Sequence, residues 1–235
     1  MNENVFITGA SRGIGLGLTK GFLTQGDRVI AACRNPEKNS ELQTLLQKYP
    51  GSLCLVALEV NSDGPVKKAA LEVSAKIDHL DILINNAGIS PGPAAAKLEE
   101  VDLKNCRDAY ETNVLGPLRV TREFLPLLRK SKNPRVVNIT SGLASLSGKS
   151  EGGFYAYGVS KAALNMLTRT MAFQFKGEGI TCVCLDPGWV KTDMGGPNAP
   201  LTPEEATSAI VKTAKGLTIE RTSQFIYQDG RELRW

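Results

Sequence analysis

Apolar and polar positions along this chain alternate between two rhythms. Short solid apolar runs, Val5-Phe6-Ile7 first among them, are stopped by glycines or charged residues, as expected of a strand buried on both faces. Between them lie stretches whose apolar residues recur at the spacing of one helix face. Runs 5–7, Val29–Cys33, Leu53–Leu58, Leu80–Ile84, Arg135–Ile139, Ile180–Leu185 and Gln224–Tyr227 read as strands. Ile14–Gln25, a charged segment opened by Pro36 and Glu37 and reaching about Tyr49, Pro65–Ala75, a long stretch over Val101–Lys130, and Phe154–Phe175 read as helices. Thr202-Pro203-Glu204-Glu205 marks one more helix start: a cap, a proline in the first turn, then acids at the positive end.

Strands that alternate with helices need crossover connections, and these produce a parallel sheet covered on both faces. Residues 1–235 are therefore expected to form one α/β domain, a doubly wound parallel sheet of about seven strands with helices on both faces. No internal repeat or low-complexity linker interrupts the pattern. The glycine- and proline-rich pieces Ile89–Ala96 and Trp189–Pro203 follow strands, so both belong at the carboxyl edge of the sheet. Open α/β sheets bind ligands at that edge.

Composition removes several function classes. A hydrophobic share of 42% and a charged share of 22% are those of a globular chain and not of a disordered one. The net charge of +4 comes from scattered lysines and arginines, which form no patch for nucleic acid but can help hold an anionic cofactor. The five cysteines fit no zinc or haem spacing, so no metal site is expected. Cys182 and Cys184 alternate along a strand and point to one face; all five read as plain buried thiols of a reducing compartment. The single histidine, His79, falls where a helix-to-strand turn is expected. A surface role suits it better than a Ser-His-Asp triad. Met1-Asn2-Glu3-Asn4 runs straight into a strand with no basic and apolar leader, and no apolar run approaches bilayer-spanning length. A cytoplasmic protein without membrane partners is the expectation.

Thr8-Gly9-Ala10-Ser11-Arg12-Gly13-Ile14-Gly15 lies between the first strand and the first helix. Glycines let the backbone turn sharply and approach a diphosphate closely, and the helix start offers unpaired N–H groups. This makes the expected sheet Rossmann-type. A site that prefers NAD usually carries a carboxylate at the end of the second strand, roughly 20 residues beyond the glycines. Here the strand ends in Cys33 followed by Arg34. A guanidinium suits a 2′-phosphate, and Arg12 can add a second, so NADP(H) is expected in preference to NAD(H). One charge-assisted hydrogen bond contributes about 1.5–3 kcal/mol, enough for a tenfold preference.

Tyr157-Gly158-Val159-Ser160-Lys161 sets a phenol and an ammonium one helical turn apart on one face. A free phenol titrates near 10, too high for neutral proton transfer, and a nearby cation favours phenolate. Tyr155 lacks such a partner, because Val159 stands four residues on. In its context this set resembles the short-chain dehydrogenase/reductase family, of the single-domain kind. The resemblance rests on residues 8–15, Asn85-Asn86-Ala87-Gly88, Asn113, Ser141, Tyr157 with Lys161, and Pro187-Gly188, in the family's order along nearly the whole chain. It extends to the C-factor/sniffer-like branch of carbonyl reductases through Ala32–Pro36, Tyr155–Asn165, Pro187–Ala199 and Asp229–Trp235.

The resemblance implies roles. Tyr157 is the acid in reduction and the base in oxidation. Lys161 lowers its pKa and binds the nicotinamide ribose, and an oxidised nicotinamide lowers it further. Ser141 hydrogen-bonds the substrate oxygen, and Asn113 holds a water in a relay behind Lys161. Gly9, Ser11, Arg12, Gly13, Ile14, Gly15, Arg34, Asn86, Ala87, Gly88, Pro187 and Gly188 line the cofactor. Glu59 and Val60 lie near the adenine, with Glu59 where the family often has aspartate. Val190 and Thr192 meet the nicotinamide amide. The gap from Ser141 to Tyr157 is longer than the commonest family spacing, so Ser145 and Ser147 are alternatives to Ser141. The partner expected is a small carbonyl or alcohol, an apolar ketone, aldehyde or quinone-like compound, together with a homodimer or homotetramer formed through the two long helices. A second reading is an NADP(H)-binding sensor or signalling protein on the same fold. An epimerase or dehydratase would need a longer substrate domain than this chain provides.

Overall fold

The computed structural model describes residues 2–235. Strand β1 (Asn4–Thr8) leads through the glycine loop into helix α1 (Gly13–Thr24), β2 (Arg28–Cys33) into α2 (Ser40–Lys48), and β3 (Leu53–Ala57) into α3 (Asp63–Ser74). Strand β4 (Ile82–Asn85) is followed by α4 (Leu103–Tyr110) and α5 (Gly116–Leu128), β5 (Arg135–Ile139) by α6 (Tyr155–Phe175), and β6 (Thr181–Asp186) by α7 (Pro203–Lys215) before β7 (Phe225–Tyr227). The strands form one 7-stranded sheet in the order β3-β2-β1-β4-β5-β6-β7. Every pairing is parallel. The doubly wound Rossmann-type sheet read from the alternation is the observed architecture. Its strand order reverses between β1 and β4, and the crevice above that reversal is where such sheets hold ligands.

Strand residues alternate between two cores. Val5 and Ile7 face α1, α2 and α7, packing with Leu18, Leu42 and Ile210. Phe6 faces the other layer with Phe124, Met171 and Phe175 from α5 and α6. Its ring centroid lies 4.2 Å from that of Phe124. Because both sheet faces are covered, the central strands are buried at nearly every position and mostly apolar, which is why they appear in the sequence as short solid runs. The cap foreseen for α7 is present as a reciprocal pair: Thr202 Oγ1 accepts from the Glu205 N–H, and the Glu205 carboxylate accepts from the Thr202 N–H.

Two helices depart from the sequence pattern. The segment opened by Pro36 is a 3₁₀ turn over Pro36–Lys38, and α2 starts anew at Ser40, capped by the Asn39 side chain accepting from Leu42 N. The stretch over 101–130 is not one helix. A π-helical turn, Glu111–Leu115, separates α4 from α5. Pro117 explains the break: it has no N–H for the Asn113 carbonyl four residues back, and its ring crowds that carbonyl. The uniform burial expected of the thiols also needs correction. Cys33, Cys182 and Cys184 are buried, but Cys54 and Cys106 are partly exposed. Cys54 sits on β3, an edge strand covered on one side only. Among the described residues, no helix is long and apolar enough to cross a membrane.

Candidate active site

A cleft of about 770 Å³ opens along the carboxyl edge of the sheet, from the glycine loop past β2 and β3 to the start of α6. Gly9, Ser11, Arg12, Gly13, Ile14 and Gly15 line one end, with Arg34, Glu59 and Val60 beyond β2 and β3; Asn86, Ala87 and Gly88 form the middle, and Tyr157, Lys161, Pro187 and Thr192 the far end. Asn113, Ser141, Gly188 and Val190, also expected at this site, are not among the residues that line the cleft.

The glycine loop is held from beneath. The buried Thr8 hydroxyl accepts from the N–H groups of Asn86 and Ala87, and Asn86 Nδ2 donates to the carbonyls of Thr8 and Gly9. Gly9 has φ +65° and Gly13 φ +52°, a region that favours glycine. A Cβ on Gly15 would sit 2.2 Å from the Gly9 carbonyl oxygen. Arg12 caps α1 without a side-chain hydrogen bond, and the first turn carries no acid. The helix start thus offers N–H groups with no side-chain acceptor, and this donor set fits a diphosphate. Arg34 is exposed and has no salt-bridge partner among the described residues. Arg12 is paired: its guanidinium lies 2.9 Å from Asp193, which stands across the cleft on the loop after β6.

The far end is assembled from three segments. Lys161 is 4% exposed, and its Nζ donates to the Ile139 carbonyl over 2.8 Å. Burial drives its pKa down to about 8. The ammonium is 5.7 Å from the centre of the Tyr157 ring. The phenol does not follow the expectation that Lys161 lowers its pKa: burial pushes Tyr157 up to about 12, with the Asp186 carboxylate adding to the rise and the Ser141 hydroxyl pulling the other way. Desolvation of the phenolate dominates in the polypeptide alone.

Of the three serines, Ser141 is the one beside the phenol. Its hydroxyl also accepts from Leu143 N, capping the short turn Gly142–Ala144. Ser145 donates instead to the Arg234 carbonyl, and the Ser147 N–H to that of Trp235. Asn113 lies in the π turn with its side chain committed: Oδ1 accepts from Ile89 N, while Nδ2 donates to Ile89 O and Ser160 Oγ. That ties β4's loop to α6. A Cβ on Gly88 would lie 3.1 Å from Asn113 Oδ1 and 3.4 Å from Lys161 Nζ, so these groups meet behind the wall.

Sequence reading overlooked Asp186, Asp193 and Pro117. Asp186 ends a strand otherwise apolar or neutral and immediately precedes Pro187-Gly188, a signal that was available. His79 lies at the amino-terminal end of β4, 3.3 Å from Asp81 and half exposed, on the opposite edge from the cleft.

The switch-point crevice, the glycine loop with its uncapped helix start, and a Tyr and Lys sharing one wall define a doubly wound α/β protein of the nucleotide-binding, oxidoreductase type. The family model described as short chain dehydrogenase matches residues 3–200. The chain belongs to the short-chain dehydrogenase family, as its motifs implied, and its relatives include the branch they pointed to. It is 43% identical over 156 residues to the C-signal of Myxococcus xanthus, covering 66% of this chain and 93% of that protein. It is similar to carbonyl reductase Sniffer of D. melanogaster, with a TM-score of 0.95 at 33% identity and 100% of both chains covered. The NADPH-bound carbonyl reductase from chicken fatty liver superposes with a TM-score of 0.92 at 35% identity, covering 100% of this chain and 99% of that one.

Proposed function

We propose that this protein reduces small carbonyl compounds with NADPH, and oxidises the corresponding alcohols in reverse, with Tyr157 as the proton-transfer group. The observation that carries this reading is the shared wall: Tyr157 and Lys161 line the cleft that begins at the glycine loop. NADPH, when bound, supplies the hydride. The helix start of α1 would hold its diphosphate, and Arg12 and Arg34 its 2′-phosphate. Solved relatives support the choice of cofactor, since the chicken reductase is described as NADPH-bound.

Tyr157 gives its hydroxyl proton to the substrate oxygen, which Ser141 also hydrogen-bonds. A phenol pushed up to about 12 stays protonated at neutral pH, as an acid for reduction must. The Lys161 ammonium eases the charge left on the phenolate. Pro117 removes the α-helical donor from the Asn113 carbonyl, and that carbonyl is the group to hold a water behind Lys161. Leu143, Leu146, Trp189 and Met194 are exposed on the two loops beside this end, which favours an apolar ketone, aldehyde or quinone-like substrate.

The test is Tyr157→Phe, assayed by NADPH oxidation over a panel of aldehydes, ketones, diketones and quinones. Turnover is expected to fall by about a hundred- to ten-thousand-fold. NADPH affinity, read by fluorescence, stays within about twofold, because the variant keeps the ring. Undiminished turnover in the variant refutes the assignment. Binding by the wild type with no turnover on any member of the panel favours the sensor reading, to which the name of the C-signal relative lends support.

A homo-oligomer belongs to the same proposal. Val159, Met166 and Phe173 recur every seventh residue as an exposed apolar stripe on α6, beside exposed Leu103 and Tyr110 on α4. Light scattering is expected to give a dimer or tetramer, and a monomer at micromolar concentration removes this part.

A further inference from the structure

Asp186 is a buried carboxylate that the reading above does not use. It ends β6, is 9% exposed, and has no ion-pair partner in contact among the described residues. Its two oxygens face two different loops. Oδ1 accepts the Gly188 N–H over 3.0 Å, fixing the turn that starts the segment 187–192. Oδ2 lies against Gly142, close enough that a Cβ there would come within 3.1 Å of it. Gly142 follows Ser141, the residue beside the Tyr157 phenol.

We propose that Asp186 is a positioning residue that joins the Ser141 loop to the Pro187–Gly188 loop and sets a fixed negative charge behind the Tyr157 phenol. One carboxylate oxygen takes the Gly188 N–H and the other packs against Gly142, so each loop meets its own oxygen of the same side chain. Tying both loops to one strand end keeps the substrate-oxygen donor in register with the cofactor wall. The charge has a second consequence. It adds to the burial that holds Tyr157 as a neutral acid, the form that reduction requires.

The charged and titratable groups around this pair come from every element packed there. Lys161 approaches Tyr157 from its own helix, while Cys184 on β6 sits nearer Lys161. Arg231 approaches Asp186 from the carboxyl-terminal segment, but it is stacked on the Tyr227 ring at 4.3 Å and bonded to Asp229 at 3.3 Å. The Tyr227 hydroxyl lies beside Gly188, where a Cβ would come within 2.6 Å of it. Burial raises the pKa of Asp186, and the Gly188 and Gly142 N–H groups hold it down again, with a smaller effect from Arg231.

The inference rests on Tyr157 standing as the proton donor, so its test is read without turnover. Carbon-13 NMR of ring-labelled tyrosine, with the Tyr157 signal assigned by its loss in Tyr157→Phe, follows that phenol in the cofactor-free protein from pH 9 to 12, over which a phenol with its midpoint at about 12 goes from almost fully protonated to about half ionised. Asp186→Asn keeps an acceptor and the side-chain volume but removes the charge. Its Tyr157 midpoint is expected to fall by about one pH unit. Asp186→Ala removes the link between loops as well and is expected to weaken NADPH binding about tenfold, read by fluorescence, while Asp186→Asn stays within about threefold. An unchanged Tyr157 midpoint in Asp186→Asn overturns the charge, and unchanged NADPH affinity in Asp186→Ala overturns the link. If Asp186→Ala does not fold, a weakened affinity in Asp186→Gln, whose longer side chain misplaces both contacts, stands for it, and an unaltered one overturns the link. Active Tyr157→Phe would sink the catalytic reading alone and leave the NMR result standing.

Discussion

The two ends of the cleft use the same kinds of charged group under opposite conditions. At the glycine-loop end, Arg12 and Asp193 face each other with side chains 74% and 77% exposed, and Arg34 projects into solvent. At the Tyr157 end, Lys161 and Asp186 are buried and Tyr157 is half-buried, and each is shifted towards its neutral form: Lys161 down to about 8, Tyr157 up to about 12, Asp186 up. Water screens charges at the open end and cannot at the closed end. The closed end is therefore built to move a proton, and its substitutions should cost orders of magnitude. The open end sorts cofactors, and its substitutions should change ratios by modest factors.

Lys161→Met breaks the comparison most severely if it is wrong. The proposed reductive step needs the ammonium, which in the cofactor-free protein is present below about pH 8 and lost above it. Wild-type kcat/KM for reduction is expected to be level from pH 6 to 7 and to fall through about 8. In Lys161→Met the rate should drop by about a hundredfold or more, and the fall near 8 should vanish from what remains. A persistent inflection there would assign it to another group. The next effect belongs to the open end. Arg34→Asp is expected to lower the ratio of kcat/KM for NADPH over NADH by about tenfold or more, since it removes one charge-assisted bond and adds a like charge. Comparable efficiency of the wild type with both cofactors would break the assignment of this end.

What was legible in the sequence follows the same division. The glycine loop, the seven strands and the Tyr157–Lys161 pair are local patterns, set by residues within one turn or one strand of each other, and each was readable. The direction of the Tyr157 shift was not. The spacing of Tyr157 and Lys161 gives a cation beside a phenol, but the burial that shifts the phenol, and its neighbours Ser141 after β5 and Asp186 at the end of β6, depend on segments outside its own helix. Pro117 was visible, yet it sits in a stretch whose apolar periodicity is sound on both sides, so the π turn around Asn113 stayed hidden. Asp186 was missed because its importance lies in contacts with two loop glycines, Gly188 through its N–H and Gly142 by close approach, that no side-chain pattern announces. Arg12 was visible as a cation of the glycine loop, but its pairing with Asp193 is a contact across 181 positions of sequence.

That pairing gives the smallest and sharpest prediction. If Arg12 is to meet a 2′-phosphate, it must leave Asp193, and the cost of leaving is that of an exposed ion pair, about 0.2–1 kcal/mol. Asp193→Asn removes the competitor while keeping the side-chain shape, so NADPH should bind about two- to fivefold more tightly, and NADH, which has no 2′-phosphate to offer Arg12, should not. Screening fixes the sign of the salt dependence: near 10 mM salt the gain is largest, and at 1 M, where the Debye length is about 3 Å, it should be gone. Arg12→Ala in the same background should abolish the gain, because Asp193 would then have no cation to hold. Equal tightening towards NADH, or a gain that survives high salt, would mean that Asp193 acts on the loop after β6 and not on Arg12. The open end would then hold its cofactor by shape and not by charge.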